Sequence, residues 1–122
     1  MEEPLKEVLV MRNYIDGEWV ESRGELAEVV NPATCKLIAK VPISTSEDVK
    51  GAVDAAKKAF PEWRTPPLAR ARCLFRLKGL MEEHFEELSR IQTMEHGKTI
   101  DESRGETRRG IENVEVVTGL PP

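Results

Sequence analysis

The apolar pattern of this chain changes period once, near Ser44, and that change limits the folds open to it. Residues 1–43 carry strand and turn signals, whereas residues 44–122 repeat their apolar positions at steps of three and four. In "NYIDGEWV" the pair Asp16-Gly17 stands between β-favouring residues. A two-residue hairpin turn needs positive φ at both central positions, which these residue types tolerate, so a tight two-stranded ribbon is predicted. "VVNPAT" turns at Asn31-Pro32. "LIAKVPI" alternates Leu37, Ala39 and Val41 on one face until Pro42, which confines it to an edge or a strand end.

Four helices are predicted beyond Ser44. The first has Ser44 and Glu47 as a capping box, with Val49, Ala52, Val53, Ala56 and Phe60 inward, and Pro61 closes it. A second begins after "TPP", with Ala71, Leu74, Leu77 and Met81 inward. A third carries Phe85, Leu88 and Ile91 and breaks at Gly97. The fourth runs from about Thr99 toward Gly119, with Ile100, Thr107, Ile111, Val114 and Val117 on its apolar side. Gly119 at C′ with prolines beyond it is a natural terminus.

This inventory is short of strands. A ribbon and one partnerless strand expose edges that must pair with something, so the expected fold class is α/β with an incomplete sheet. A complete chain of 122 residues would hold one domain and one modest core. A missing remainder is the simpler explanation of the inventory.

Composition excludes several function classes. The net charge is −4, which draws the chain neither to nucleic acid nor to an anionic membrane. No apolar run approaches the ~20 residues of a membrane span, and "MEEPLKEVLV" opens with acids where a secretion signal carries lysine or arginine, so a cytoplasmic location is expected. Cys35 and Cys73 have no CxxC spacing and no nearby histidine pair, so no metal site is expected. Cys73 reads as a buried, inert thiol in a helix, and Cys35 as a turn residue with no histidine or helix N-terminus beside it; neither is assigned a catalytic role. His96 reads as a solvated helix end. Arg64, Arg70, Arg72 and Arg76 precede Glu82, Glu83, Glu86 and Glu87, a pattern that suits pairing on a solvated surface. In "GETRRGIENVEVVTG", Arg108 has Glu112 four residues on, with Arg104 four residues back opposing that pair; Arg109 lies further round, toward an Ile111-to-Val114 shoulder. On the bare sequence Arg109 is structural.

Four segments, "NYIDGEWVES", "VVNPATCKLIAKVPISTSEDVKGAVDAAKKAFPEW", "RARCLFRLKGLMEEHFEEL" and "TMEHGKTIDESRGE", resemble in order and spacing the N-terminal portion of the aldehyde dehydrogenase superfamily. "RRGIENVEVVTG" is most similar to its methylmalonate-semialdehyde, CoA-acylating branch. Cys35 stands where many members carry glycine. The resemblance implies a large α/β enzyme with a Rossmann-like NAD-binding domain, a catalytic domain and an oligomerisation arm. Residues 1–122 would be the N-terminal part of the NAD-binding domain, 1–43 its strand- and turn-rich entry and 44–122 its helical part, with the catalytic domain absent. The family's cysteine nucleophile, glutamate base, oxyanion-binding asparagine and cofactor glycine motif map to no residue here, so no catalytic or cofactor-binding residue is assigned. The resemblance makes Arg109 the substrate-binding candidate, holding the carboxylate of an aldehyde acid. The intact enzyme would use NAD and CoA on methylmalonate or malonate semialdehyde as a homo-oligomer, without nucleic acid or membrane partners. The expected state is a fragment inactive by itself, through truncation, a split gene or a relic. The alternatives are a non-catalytic protein-interaction module, or a fragment specific for another aldehyde.

Overall fold

A computed structural model describes residues 7–64 and 66–119. These form two compact units, one ending at Arg64 and one beyond it.

In the first unit, strand β1 (Leu9–Val10) runs parallel to β5 (Leu37–Pro42), and β4 (Leu26–Val30) runs antiparallel along the other side of β5. The order β1-β5-β4 makes β5 the central strand. This corrects the edge alternative: Pro42 sits at the end of β5, where a missing donor costs the ladder little. Ile38 and Ala39 of β5 are the buried apolar residues of the unit among those described. β2 (Asn13–Ile15) and β3 (Glu18–Val20) form the predicted ribbon, with Asp16 at φ 53° and Gly17 at φ 82° in its turn. Tyr14 and Trp19 face each other across it at 5.0 Å between ring centroids. Gly24 lies so close to the chain after β5 that an added Cβ would meet the Ile43 carbonyl oxygen, so no side chain fits there.

Helix α1 (Ser46–Trp63) belongs to this unit, packing against β2. Its capping box lies one residue later than predicted. The Thr45 hydroxyl accepts from Asp48 N, and the Asp48 carboxylate accepts from Thr45 N at 2.7 Å and from the Ser22 hydroxyl at 2.7 Å. Ser44 is taken up instead by the Asn13 side chain at 2.9 Å. Pro61 does not close the helix: it lies in the last turn, and the chain stays helical until Arg64 N donates to Phe60 O. Val49, Val53 and Phe60, expected inward, are exposed, because β2 is the only strand against which α1 packs substantially among the described residues.

The second unit is three helices, α2 (Pro67–Glu83), α3 (Phe85–His96) and α4 (Ile100–Thr118). α2 starts within "TPP", Pro67 taking the first helical position, where a missing N–H is harmless. α2 and α3 are separated by His84 alone, and α4 packs on both. Gly97, left-handed at φ 73°, ends α3 and allows the reversal into α4. Gly119 ends α4 in right-handed rather than left-handed geometry, its N–H returning to Val116 O; the prolines beyond it lie outside the described residues. Among the described residues of this unit, Ile111 is the one buried large apolar side chain, and Leu77, Leu88 and Val117 are exposed against expectation. Among the described residues, no helix is long and apolar enough to cross a membrane.

Candidate functional site

The candidate site is the outer face of α4, and its sequence explains why this helix is held firmly. Thr99 caps it: its hydroxyl accepts from Glu102 N, and the Glu102 carboxylate accepts from Thr99 N at 3.0 Å. The Thr99 hydroxyl and backbone N–H together hold the Glu102 carboxyl below the usual carboxylate range.

On its inner face α4 presents hydroxyls beside Ile111. Thr93 Oγ1 donates to Ser103 Oγ at 2.8 Å, and one turn along the seam Ser89 Oγ lies 3.1 Å from Thr107 Oγ1 while donating to Phe85 O. Thr107 donates on to Gln92, and Gln92 and Lys98 both reach Glu106. Ser89 and Ser103 are completely buried. The spacing of four residues on each helix, 89 to 93 and 103 to 107, was the signal available for this seam; reading for apolar periodicity passes over it.

Charged groups close the rim. Arg104 grips Glu86 through a two-pronged fork, Nε to Oε1 and Nη2 to Oε2 both at 2.9 Å, and reaches Asp101 at 3.0 Å. That fork pushes the Glu86 carboxyl down and the guanidinium further up. Lys78 of α2 lies between Glu82 at 3.2 Å and Glu115 at 3.6 Å. Arg108 does not pair with Glu112: it lies 4.8 Å above the Phe85 ring and 3.8 Å from Glu82. Glu82, Glu86 and Glu87 are thus engaged by Lys78, Arg108, Arg104 and His84, not by the arginines at positions 64 to 76.

Arg109 is exposed, and its expected position needs correction. Two residues advance a helix by about 200°, so Arg109 lies roughly 160° from Ile111, on the face it shares with Gly105, Asn113 and Val116. The helix is anchored by the opposite face, leaving this guanidinium directed outward. Cys73 is exposed, not buried; its thiol leans toward Ala69 O at 3.7 Å. Cys35 is also exposed and adopts φ 57° in the turn between β4 and β5. His96 is exposed in the last turn of α3.

The helix starts do not suit a dinucleotide pyrophosphate. The first turns of α1 and α4 are occupied by Asp48 and Glu102, whose charge repels phosphate, and α2 opens on prolines without N–H groups. The eight glycines form no G-x-G-x-x-G run. Among the described residues, none of these three helix starts offers a phosphate a free, uncharged first turn.

Residues 19–122 match the aldehyde dehydrogenase family. Malonate-semialdehyde dehydrogenase 2 of Oceanobacillus iheyensis is 53% identical over 113 residues, covering 91% of this chain and 23% of the relative. The crystal structure of methylmalonate-semialdehyde dehydrogenase from Oceanimonas doudoroffii superposes with a TM-score of 0.86 at 40% identity, over 92% of this chain and 23% of that one. A betaine aldehyde dehydrogenase variant of Staphylococcus aureus, solved with NAD+, gives 0.87 at 32%, over 97% and 24%. The chain thus spans about a quarter of the length of the relatives it matches. With the family matched over most of its length and the fold shared with family members, the chain belongs to the aldehyde dehydrogenase family.

Proposed function

We propose that this chain is the N-terminal part of an NAD-dependent, CoA-acylating malonate or methylmalonate-semialdehyde dehydrogenase, and that it contributes scaffold and one substrate contact, Arg109. The reading rests on the identity with malonate-semialdehyde dehydrogenases, 53% at best among those compared, carried by a helix that fixes Arg109 outward. The fold alone does not select the substrate, since a betaine aldehyde dehydrogenase superposes equally well.

The intact enzyme oxidises the aldehyde by hydride transfer to NAD, loses the carboxylate carbon and passes the acyl group to CoA. The nucleophile, base and cofactor contacts come from the rest of the fold, and the enzyme works as a homo-oligomer. By itself the chain is inactive, since acyl transfer needs an activated thiolate and oxyanion donors together. Arg109 supplies what lysine does not, a planar fork that holds a carboxylate through two parallel bonds.

The test joins this chain to the remaining three quarters of the Oceanobacillus relative and compares methylmalonate semialdehyde with propanal. In a desolvated site, Arg109→Ala lowers kcat/KM for the acid on the order of 30-fold or more and leaves propanal nearly unchanged; Arg109→Lys recovers part of the loss. Arg108→Ala, half-exposed on the Phe85 side, does little. Equal losses on both aldehydes would reduce Arg109 to a structural residue. A second reading, a non-catalytic interaction module, draws on the exposed apolar residues of both units, among them Trp19, Phe60, Phe75 and Val116.

A further inference from the structure

We infer that the buried hydroxyl seam between α3 and α4 is a positioning device for Arg109: Ser89, Thr93, Ser103 and Thr107 fix the register of α4, and so the place of its outward guanidinium. The inference rests on the substrate role proposed for Arg109. Two of these side chains, Ser89 and Ser103, are wholly buried, and a buried hydroxyl is costly to leave without its partner. α3 and α4 run antiparallel, Thr93 facing Ser103 and Ser89 facing Thr107. A slip of α4 by one turn in one direction sets Ser89 against Ile111; in the other it leaves Thr107 facing Phe85. The first slip turns the Ser89 hydroxyl toward an apolar side chain, the second does the same to that of Thr107, and both part the fork between Arg104 and Glu86. Ile111 alone would not prevent it, because a single apolar contact is not directional. One turn of slip carries Arg109 about 5.4 Å along the helix axis, far beyond what a bidentate carboxylate contact tolerates.

The test uses the same joined enzyme with Ser89→Ala, Thr93→Val, Ser103→Ala and Thr107→Val combined, which removes both members of each pair and leaves no hydroxyl of the seam unpartnered. The seam predicts a roughly tenfold fall in the ratio of kcat/KM for methylmalonate semialdehyde over propanal. The loss appears as a raised KM for the acid, with a melting temperature within a few degrees of the parent. Thr93→Ser with Thr107→Ser, which keeps every hydroxyl, preserves the ratio. An unchanged ratio in the hydroxyl-free enzyme, while Arg109→Ala lowers it, overturns the seam's role and leaves that of Arg109 standing. Equal losses on both aldehydes with a lowered melting temperature show a merely structural seam and overturn it too. A ratio insensitive to Arg109→Ala removes the substrate role, and the positioning role with it.

Discussion

Cys35 occupies a backbone position made for glycine. Its φ of 57° lies in the left-handed region, where a Cβ crowds the following carbonyl, and the turn persists because Asn31 secures it. Cys35 N donates to Asn31 O at 2.8 Å, and the Asn31 side chain accepts from Ala33 N at 2.9 Å. Cys35→Gly should therefore stabilise the chain by about 0.5–1 kcal/mol, the relieved strain outweighing the added freedom of the unfolded state. Urea denaturation measures it; a midpoint shifted downward would show that the side chain contributes packing the turn needs. At this scale the sequence was partly legible. The Asp16-Gly17 turn was readable from residue type alone, as was the helix break at Gly97. The side of α4 on which Arg109 lies was misread: the step of about 100° past Arg108 was taken to lead toward Ile111 and Val114, which lie roughly 160° and 140° away from it round the helix. The partners of Arg108 and Arg104 were not legible either, since Glu82, Phe85 and Glu86 come from other helices.

Helices α1 and α4 begin with the same device, a threonine whose hydroxyl caps the third helical N–H while an acid at that third position reaches back. Removing either hydroxyl, by Thr45→Ala or Thr99→Ala, should cost about 1 kcal/mol in thermal or urea unfolding. The same boxes make stability depend on pH. Asp48 is held low by Ser22 and Thr45, Glu102 by Thr99, and Glu86 by Arg104. A carboxyl depressed in the folded state contributes stability that is fully present above its unfolded value, about 4, and is lost as pH falls through the folded value. The melting temperature should therefore hold above about pH 5 and fall below pH 4, more gently in a Thr45→Ala, Thr99→Ala double variant. A fall of equal steepness in both proteins would assign the acid sensitivity to other groups. Four helices were legible from their period. The cap of α1 was read one residue early because Ser44-x-x-Glu47 and Thr45-x-x-Asp48 fit the same pattern, and Asn13 and Ser22, more than twenty residues away, decide between them. β1 and β4 escaped notice: β1 has two residues, and the small face of β4 carries a weak alternation.

Across the whole molecule, Ile38, Ala39 and Ile111 are the buried apolar residues among those described, while Tyr14, Trp19, Phe60, Leu68, Phe75 and Val116 are each more than half exposed. Such surfaces, together with open sheet edges, mark faces that pack against more protein. The isolated chain should accordingly associate in sedimentation experiments; a sharp monomer that melts cooperatively would favour a self-sufficient module. The family was legible because its motifs run through nearly the entire chain. The catalytic chemistry was not, since the chain spans only about a quarter of the length of the relatives it matches. The most direct measurement is kcat/KM for malonate semialdehyde, with NAD and CoA, of the enzyme in which this chain replaces the matching segment of the Oceanobacillus relative. A value within about tenfold of that relative's own is predicted. A soluble, assembled enzyme that binds NAD but no longer prefers the semialdehyde acid over neutral aldehydes would contradict the assignment.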